Sequence, residues 1–137
     1  MRQIDRIIIH CADTPNGREN NAADIDLWHR ERGWDCIGYH NVICIDGTVE
    51  RGRPYFQKGA HARGYNGSSL GICLIGRDKF TQAQWDGLLA LVKDLCTRYG
   101  IDKVQGHRDV DDHKTCPNFS VADWIEKGPN PDNILEV

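Results

Sequence analysis

Two periods of apolar residues run along this chain, and the elements follow from where each begins and stops. Residues 4–11 read IDRIIIHC. The unbroken triplet Ile7-Ile8-Ile9 predicts an interior strand covered on both faces, with His10 at its end. A loop with Thr14-Pro15 comes next, so a side chain at the strand end can project into a cleft. Residues 39–45 and 48–53 are β-rich runs joined by Asp46-Gly47, a strong hairpin signal. Alternation puts Tyr39, Asn41, Ile43 and Ile45 on one face and His40, Val42 and Cys44 on the other. Residues 70–75 predict a second buried strand, and residues 103–106 a short strand that delivers His107.

The longer period marks helices. Residues 21–32 predict one, capped by Asn21 with Asp24 favouring its positive end, and stopped by Gly33. Ile25, Trp28 and Leu27 form its packing face, with His29 beside it as a surface or partly buried residue. Residues 81–99 predict the longest helix. Thr81 and Gln84 form a capping box, and Trp85, Leu88, Leu89, Val92, Leu95, Cys96 and Tyr99 line one buried face. Ser120 with Asp123 opens a last short helix holding Trp124 and Ile125, after which GPNPDN is expected to be loose. Strands alternating with helices, plus one hairpin, predict an α/β fold: a single domain over residues 1–137 with a central mixed β-sheet flanked by helices.

Composition narrows this picture in three ways. A net charge of -3 gives no electrostatic case for nucleic acid as a partner. No stretch is long and apolar enough for a membrane span, and residues 1–11 do not read as a signal peptide. The six cysteines include Cys44, Cys73 and Cys96 in apolar runs, where they read as small buried hydrophobes. We expect them, with Cys11 and Cys36, to be reduced; a disulfide within this set is the lesser alternative.

The chemistry concentrates in residues 106–119, GHRDVDDHKTCPNF. His107 and Cys116 offer an imidazole nitrogen and a thiolate sulfur, both good donors for zinc. His10 is the best third donor, although a strand histidine alone is more often a structural one. Three protein ligands leave a fourth position for water, the mark of catalytic rather than structural zinc, so the pattern predicts a zinc hydrolase. Lys114 sets a fixed positive charge beside that centre. Tyr39 either reaches the cleft or is an ordinary strand aromatic. The glycine-rich stretch 59–69, with His61, Arg63, Tyr65 and Asn66, reads equally as a substrate-binding rim or a plain surface loop. No phosphate-loop spacing is present.

Taken together, IIIHC, GYHNVICIDGTVERGR, GAHARGYNGSSLGICLIG, GHRD and KTCPNF resemble the zinc N-acetylmuramoyl-L-alanine amidases, in particular the short amidase-type lysozymes (endolysins) of T-odd coliphages. Peptidoglycan recognition proteins share the fold. The motifs stand in the family's order along nearly the whole chain. The resemblance implies His10, His107 and Cys116 as metal ligands, Tyr39 and Lys114 as catalytic residues, and His61 as a substrate contact. It implies Zn2+ as cofactor and peptidoglycan as substrate, cut at the amide between N-acetylmuramic acid and L-alanine. Two alternatives are a non-catalytic peptidoglycan-binding module and a regulator of phage RNA polymerase. The intact ligand set disfavours the first. The coliphage lysozymes bind the polymerase through a longer leading arm, so no tight polymerase complex is expected here. The segment between His107 and Cys116 is slightly longer than in those lysozymes, which makes His113 a rival ligand. A monomer is expected. It would accumulate in the host cytoplasm and reach the cell wall once the inner membrane is permeabilised.

Overall fold

The computed structural model describes residues 2–136. Five strands form one sheet in the order β3-β2-β4-β1-β5. They are β1 (Arg6–Cys11), β2 (Asn41–Ile43), β3 (Val49–Arg51), β4 (Ser69–Leu74) and β5 (Lys103–Gly106). β1 lies between β4 and β5, parallel to both, and β2 is parallel to β4. Only β3 runs antiparallel, closing the Asp46-Gly47 hairpin against β2. The expected mixed sheet is thus observed, and the apolar triplet of β1, the strand between β4 and β5, is fully buried.

Each face has its own cover. Ile7, Ile9, Ile43, Leu70, Ile72 and Leu74 project to one face and meet Trp85, Leu88, Val92 and Leu95 of α2 (Gln82–Tyr99). Phe119 and Trp124, the latter on α4 (Val121–Lys127), complete that core. On the other face, Ile25 of α1 (Ala22–Glu31) packs with Ile37, Val42, Cys73 and Ile75. The capping boxes at Asn21 and Thr81 form as expected. A further single turn, α3 (His107–Val110), continues directly from β5.

Four expectations need correction. Leu27 and Leu89 are exposed rather than part of their helices' buried faces. In α2 the buried place goes to Gln84, whose amide donates to the carbonyls of Ile43 (3.1 Å) and Ile75 (2.9 Å) and so ties helix to sheet. The segment after Gly128 is not loose. It forms a 3-10 turn at Pro131–Asn133 and pairs with Phe80, whose N–H donates to the Asn133 carbonyl at 2.9 Å. Tyr39 does not share a face with Ile43. It packs with Val42 on the α1 side, because the N–H groups of consecutive residues Gly52 and Arg53 donate to the carbonyls of His40 and Tyr39, which breaks the two-residue period. A Cβ at Gly52 would lie 2.2 Å from the Tyr39 carbonyl oxygen, so only glycine permits this pairing.

All six cysteines are free in this structure. Among the described residues no helix is long and apolar enough to cross a membrane.

Candidate metal centre

β1 and β5 end side by side at one edge of the sheet, and a cleft of about 860 Å³ opens there and runs over the α1 face to Tyr39, ahead of β2, and His61, which packs on Gly71 of β4. Crevices outside the carboxyl ends of parallel strands are the usual ligand sites of open α/β sheets. His10, the fifth residue of β1, lies on its floor at 1% exposure. β5 ends at Gly106, and the chain turns straight into α3, so His107 stands beside His10 with ring centroids 4.6 Å apart. Asp109 fixes this turn by accepting from the Gly106 N–H at 2.7 Å.

Cys116 arrives on the loop beyond α3. The Arg108 N–H donates to the Cys116 carbonyl at 2.8 Å, and the Cys11 N–H donates to Cys116 Sγ at 3.1 Å. A Cβ at Gly106 would sit 2.8 Å from Pro117 Cδ, so the glycine of GHRD is what lets the two ligand-bearing segments meet. The result is one donor atom each from His10, His107 and Cys116, all within 4.8 Å of one another. Donors around a tetrahedral zinc stand about 3.5 Å apart, so this set fits with a small contraction. Two imidazoles and a thiolate suit a borderline-soft divalent ion, and all three residues line the cleft. His113 lines the cleft but does not belong to this group.

The electrostatics prepare the two imidazoles for ligation, whereas the thiol must give up a proton. Burial, followed by the neighbouring His61 and His107, holds the His10 imidazole well below its ordinary value. Burial and then the Lys114 charge lower His107. Both rings are thereby neutral at pH 7, as ligands must be. The neighbouring Cys11 thiol, and then burial, push the Cys116 thiol up. Metal binding would therefore displace a proton from this sulfur pair.

Around the three donors, Tyr39 stacks at 5.0 Å from the His10 ring, and burial pushes its phenol well above the ordinary value. It is thus a hydrogen-bond donor at neutral pH. Lys114 is exposed at the rim of the cleft, close enough to His107 to shift it. His61 is nearly buried, with Nδ1 at 2.8 Å from His10 Nε2. Asn41 faces away from the ligands, bonded to the Tyr55 hydroxyl. Arg63 and Asn66 line the cleft; Tyr65 instead carries the Arg6 guanidinium over its ring at 4.9 Å.

Two cleft residues escape the sequence pattern. His29, expected at the surface or partly buried, is buried: its Nδ1 accepts from the Gly38 N–H at 2.9 Å, and burial lowers it to about 4. Its ring stacks on Trp34, which forms the cleft wall. No motif announces this pair, since it depends on a loop folding back onto α1.

The family model described as N-acetylmuramoyl-L-alanine amidase matches residues 1–119. The endolysins of Enterobacteria phage T3 and Escherichia phage T7 are each 40% identical over 131 residues, covering 90% of this chain and 86% of the relative. Among solved structures, the N-acetylmuramoyl-L-alanine amidase LysC from Clostridium intestinale URNW superposes with a TM-score of 0.79 at 35% identity, over 85% of this chain and 77% of its own. Drosophila PGRP-LB gives a TM-score of 0.80 at 28% identity, over 100% of this chain and 88% of its own.

Proposed function

The chain belongs to the N-acetylmuramoyl-L-alanine amidase family, and from that premise we propose that it is an endolysin that uses zinc on His10, His107 and Cys116 to hydrolyse the amide between N-acetylmuramic acid and L-alanine in peptidoglycan. The observation that carries this reading is the convergence of three donors within 4.8 Å on the cleft floor. Bound zinc supplies a water of lowered pKa, about 7, and polarises the amide carbonyl.

The chain's own residues supply the rest. Lys114 places its ammonium over the cleft, where developing negative charge on the carbonyl oxygen is stabilised most in a partly desolvated space. The Tyr39 phenol, kept protonated by burial, donates a hydrogen bond into the same space. Trp34, packed on the buried His29, forms a wall of the cleft against which the substrate lies. A non-catalytic peptidoglycan-binding module would not need a thiolate in this position, which favours the enzyme. We propose that it resides in the host cytoplasm before lysis and acts on the wall after the inner membrane opens.

The test is the identity of the cut bond together with metal content. Purified protein should carry about one zinc per chain. Digested peptidoglycan should release stem peptides with a free L-alanine amino group while glycan strands stay long. A chelator should stop this and zinc should restore it. New reducing sugar ends without new amino termini would refute the proposal, because they require a carboxylate pair astride a glycosidic bond.

A further inference from the structure

Behind His10 runs a short line of hydrogen bonds that ends on a backbone carbonyl. His10 Nε2 is 2.8 Å from His61 Nδ1, His61 Nε2 is 3.2 Å from Ser69 Oγ, and Ser69 Oγ is 2.7 Å from the Tyr65 carbonyl. All three side chains are buried. The carbonyl can only accept, so the Ser69 hydroxyl donates to it. Its oxygen is then left to accept from His61 Nε2–H. A neutral His61 has one ring proton, so its Nδ1 is bare and accepts from His10 Nε2–H. His10, also neutral, keeps a bare Nδ1. That nitrogen makes no hydrogen bond among the described residues, yet no buried side-chain nitrogen or oxygen is left without a partner there, so it opens on the cleft.

The His61 ring is held for this role from several sides. A Cβ at Gly59 would lie 2.4 Å from it, and one at Gly71 would lie 2.7 Å from it. Two glycines therefore make a slot that only this ring fills. The Asn66 side-chain oxygen accepts from the backbone N–H groups of His61 (2.7 Å) and Ala62 (2.9 Å), fixing the loop.

We propose that His61 is a positioning residue: anchored through Ser69 to the Tyr65 carbonyl, it locks His10 in the Nε2–H tautomer and so presents Nδ1 as the metal-binding nitrogen. This rests on the zinc reading above and adds which nitrogen ligates and what selects it. Partners of this kind orient ligand histidines and raise their basicity, and losing one typically costs ~10–100-fold in metal affinity.

The experiment has two arms. In the metal-free protein, imidazole nitrogen NMR should show His10 as the Nε2–H tautomer, and Ser69→Ala, which removes the anchor, should give a mixture. Zinc affinity, measured by competition with a chromophoric chelator, should fall ~10–100-fold in His61→Ala and ~3–10-fold in Ser69→Ala. His61→Asn puts an amide oxygen where Nδ1 stood and should recover much of the loss. A His10 Nδ1–H tautomer in the wild type would overturn the proposal. So would wild-type zinc affinity in a folded Ser69→Ala together with an unchanged tautomer. If the wild type itself fails to bind zinc, the zinc reading falls, while the metal-free spectrum still decides the tautomer.

Discussion

The two faces of the sheet are built from the same strands and do opposite work. On the α2 face, Ile7 and Ile9 of β1 and Leu70, Ile72 and Leu74 of β4 make a dry core. On the other face the alternate positions of those strands hold His10, Ser69, Gly71 and Cys73, with His40 and His61 against them. In β1, Ile7 and Ile9 belong to the dry core while His10, one step out of phase, joins the candidate donor group on the cleft floor. The lesson is that the apolar face can tolerate a polar, glycine-notched neighbour because alternation keeps the two from sharing side chains.

That comparison predicts that damage to one face leaves the other's property intact. The largest effect should come from a ligand. Cys116→Ser should lower amidase activity to the level of chelated wild type, with most zinc lost on elemental analysis, while far-UV circular dichroism stays native. Full zinc occupancy in this variant, with loss in His113→Ala, would show that the wrong ligand had been assigned. Next, Lys114→Ala should keep its zinc and its thermal midpoint yet lose roughly 10²–10³ in turnover. Arg at that position should rescue only partly, since its charge is spread over a planar fork. Unchanged turnover in Lys114→Ala would make this a surface lysine.

On the dry face the sign is reversed. Leu88→Ala, at 0% exposure, should cost about 2–5 kcal/mol of stability by urea denaturation, with kcat per folded molecule unchanged below the transition. A fall in kcat equal to the Lys114 effect would mean the faces are coupled. The smallest effect is the acid response of the cleft face. His40 is fully buried; its Nδ1 accepts from the Gly71 N–H at 3.0 Å and its Nε2–H donates to the Gln57 carbonyl at 2.8 Å. Burial lowers it from 6.5 to about 4. The stability it contributes is therefore fully present above pH 6.5 and lost as pH falls through 4. Its slope is about 1.4 kcal/mol per pH unit between these limits. Urea midpoints at pH 6, 5.5 and 5 should fall more steeply than this, because His10, His29 and His61 are lowered in the same sense, and His40→Gln should reduce the wild-type slope by about the His40 share.

Much of this architecture is legible in the chain. The apolar triplet ending at His10 and the short strand ending at Gly106 both read as strands, and parallel neighbours bring their carboxyl-terminal residues to one edge. His107 and Cys116 are close in sequence and stay close in space. The departures share a cause. His29 reads as a surface or partly buried residue because α1 shows only its own stripe, and the loop that completes its burial comes from elsewhere in the chain. Alternation puts Tyr39 on the wrong face because a break in pairing at Gly52 and Arg53 is invisible to a strict two-residue period. The tie between His61 and His10 spans 51 residues, and no local pattern encodes a contact of that range.

The joining of Cys11 to Cys116, 105 residues apart, sets a timetable. On a ribosome β1 emerges first and waits with an empty place on either side. β4 fills one side, but the other stays open until β5 is made, and the last donor comes only after that. Any nascent or prematurely ended chain that stops short of Cys116 holds His10 without its full complement. The three donors therefore cannot all meet before the sheet itself is complete.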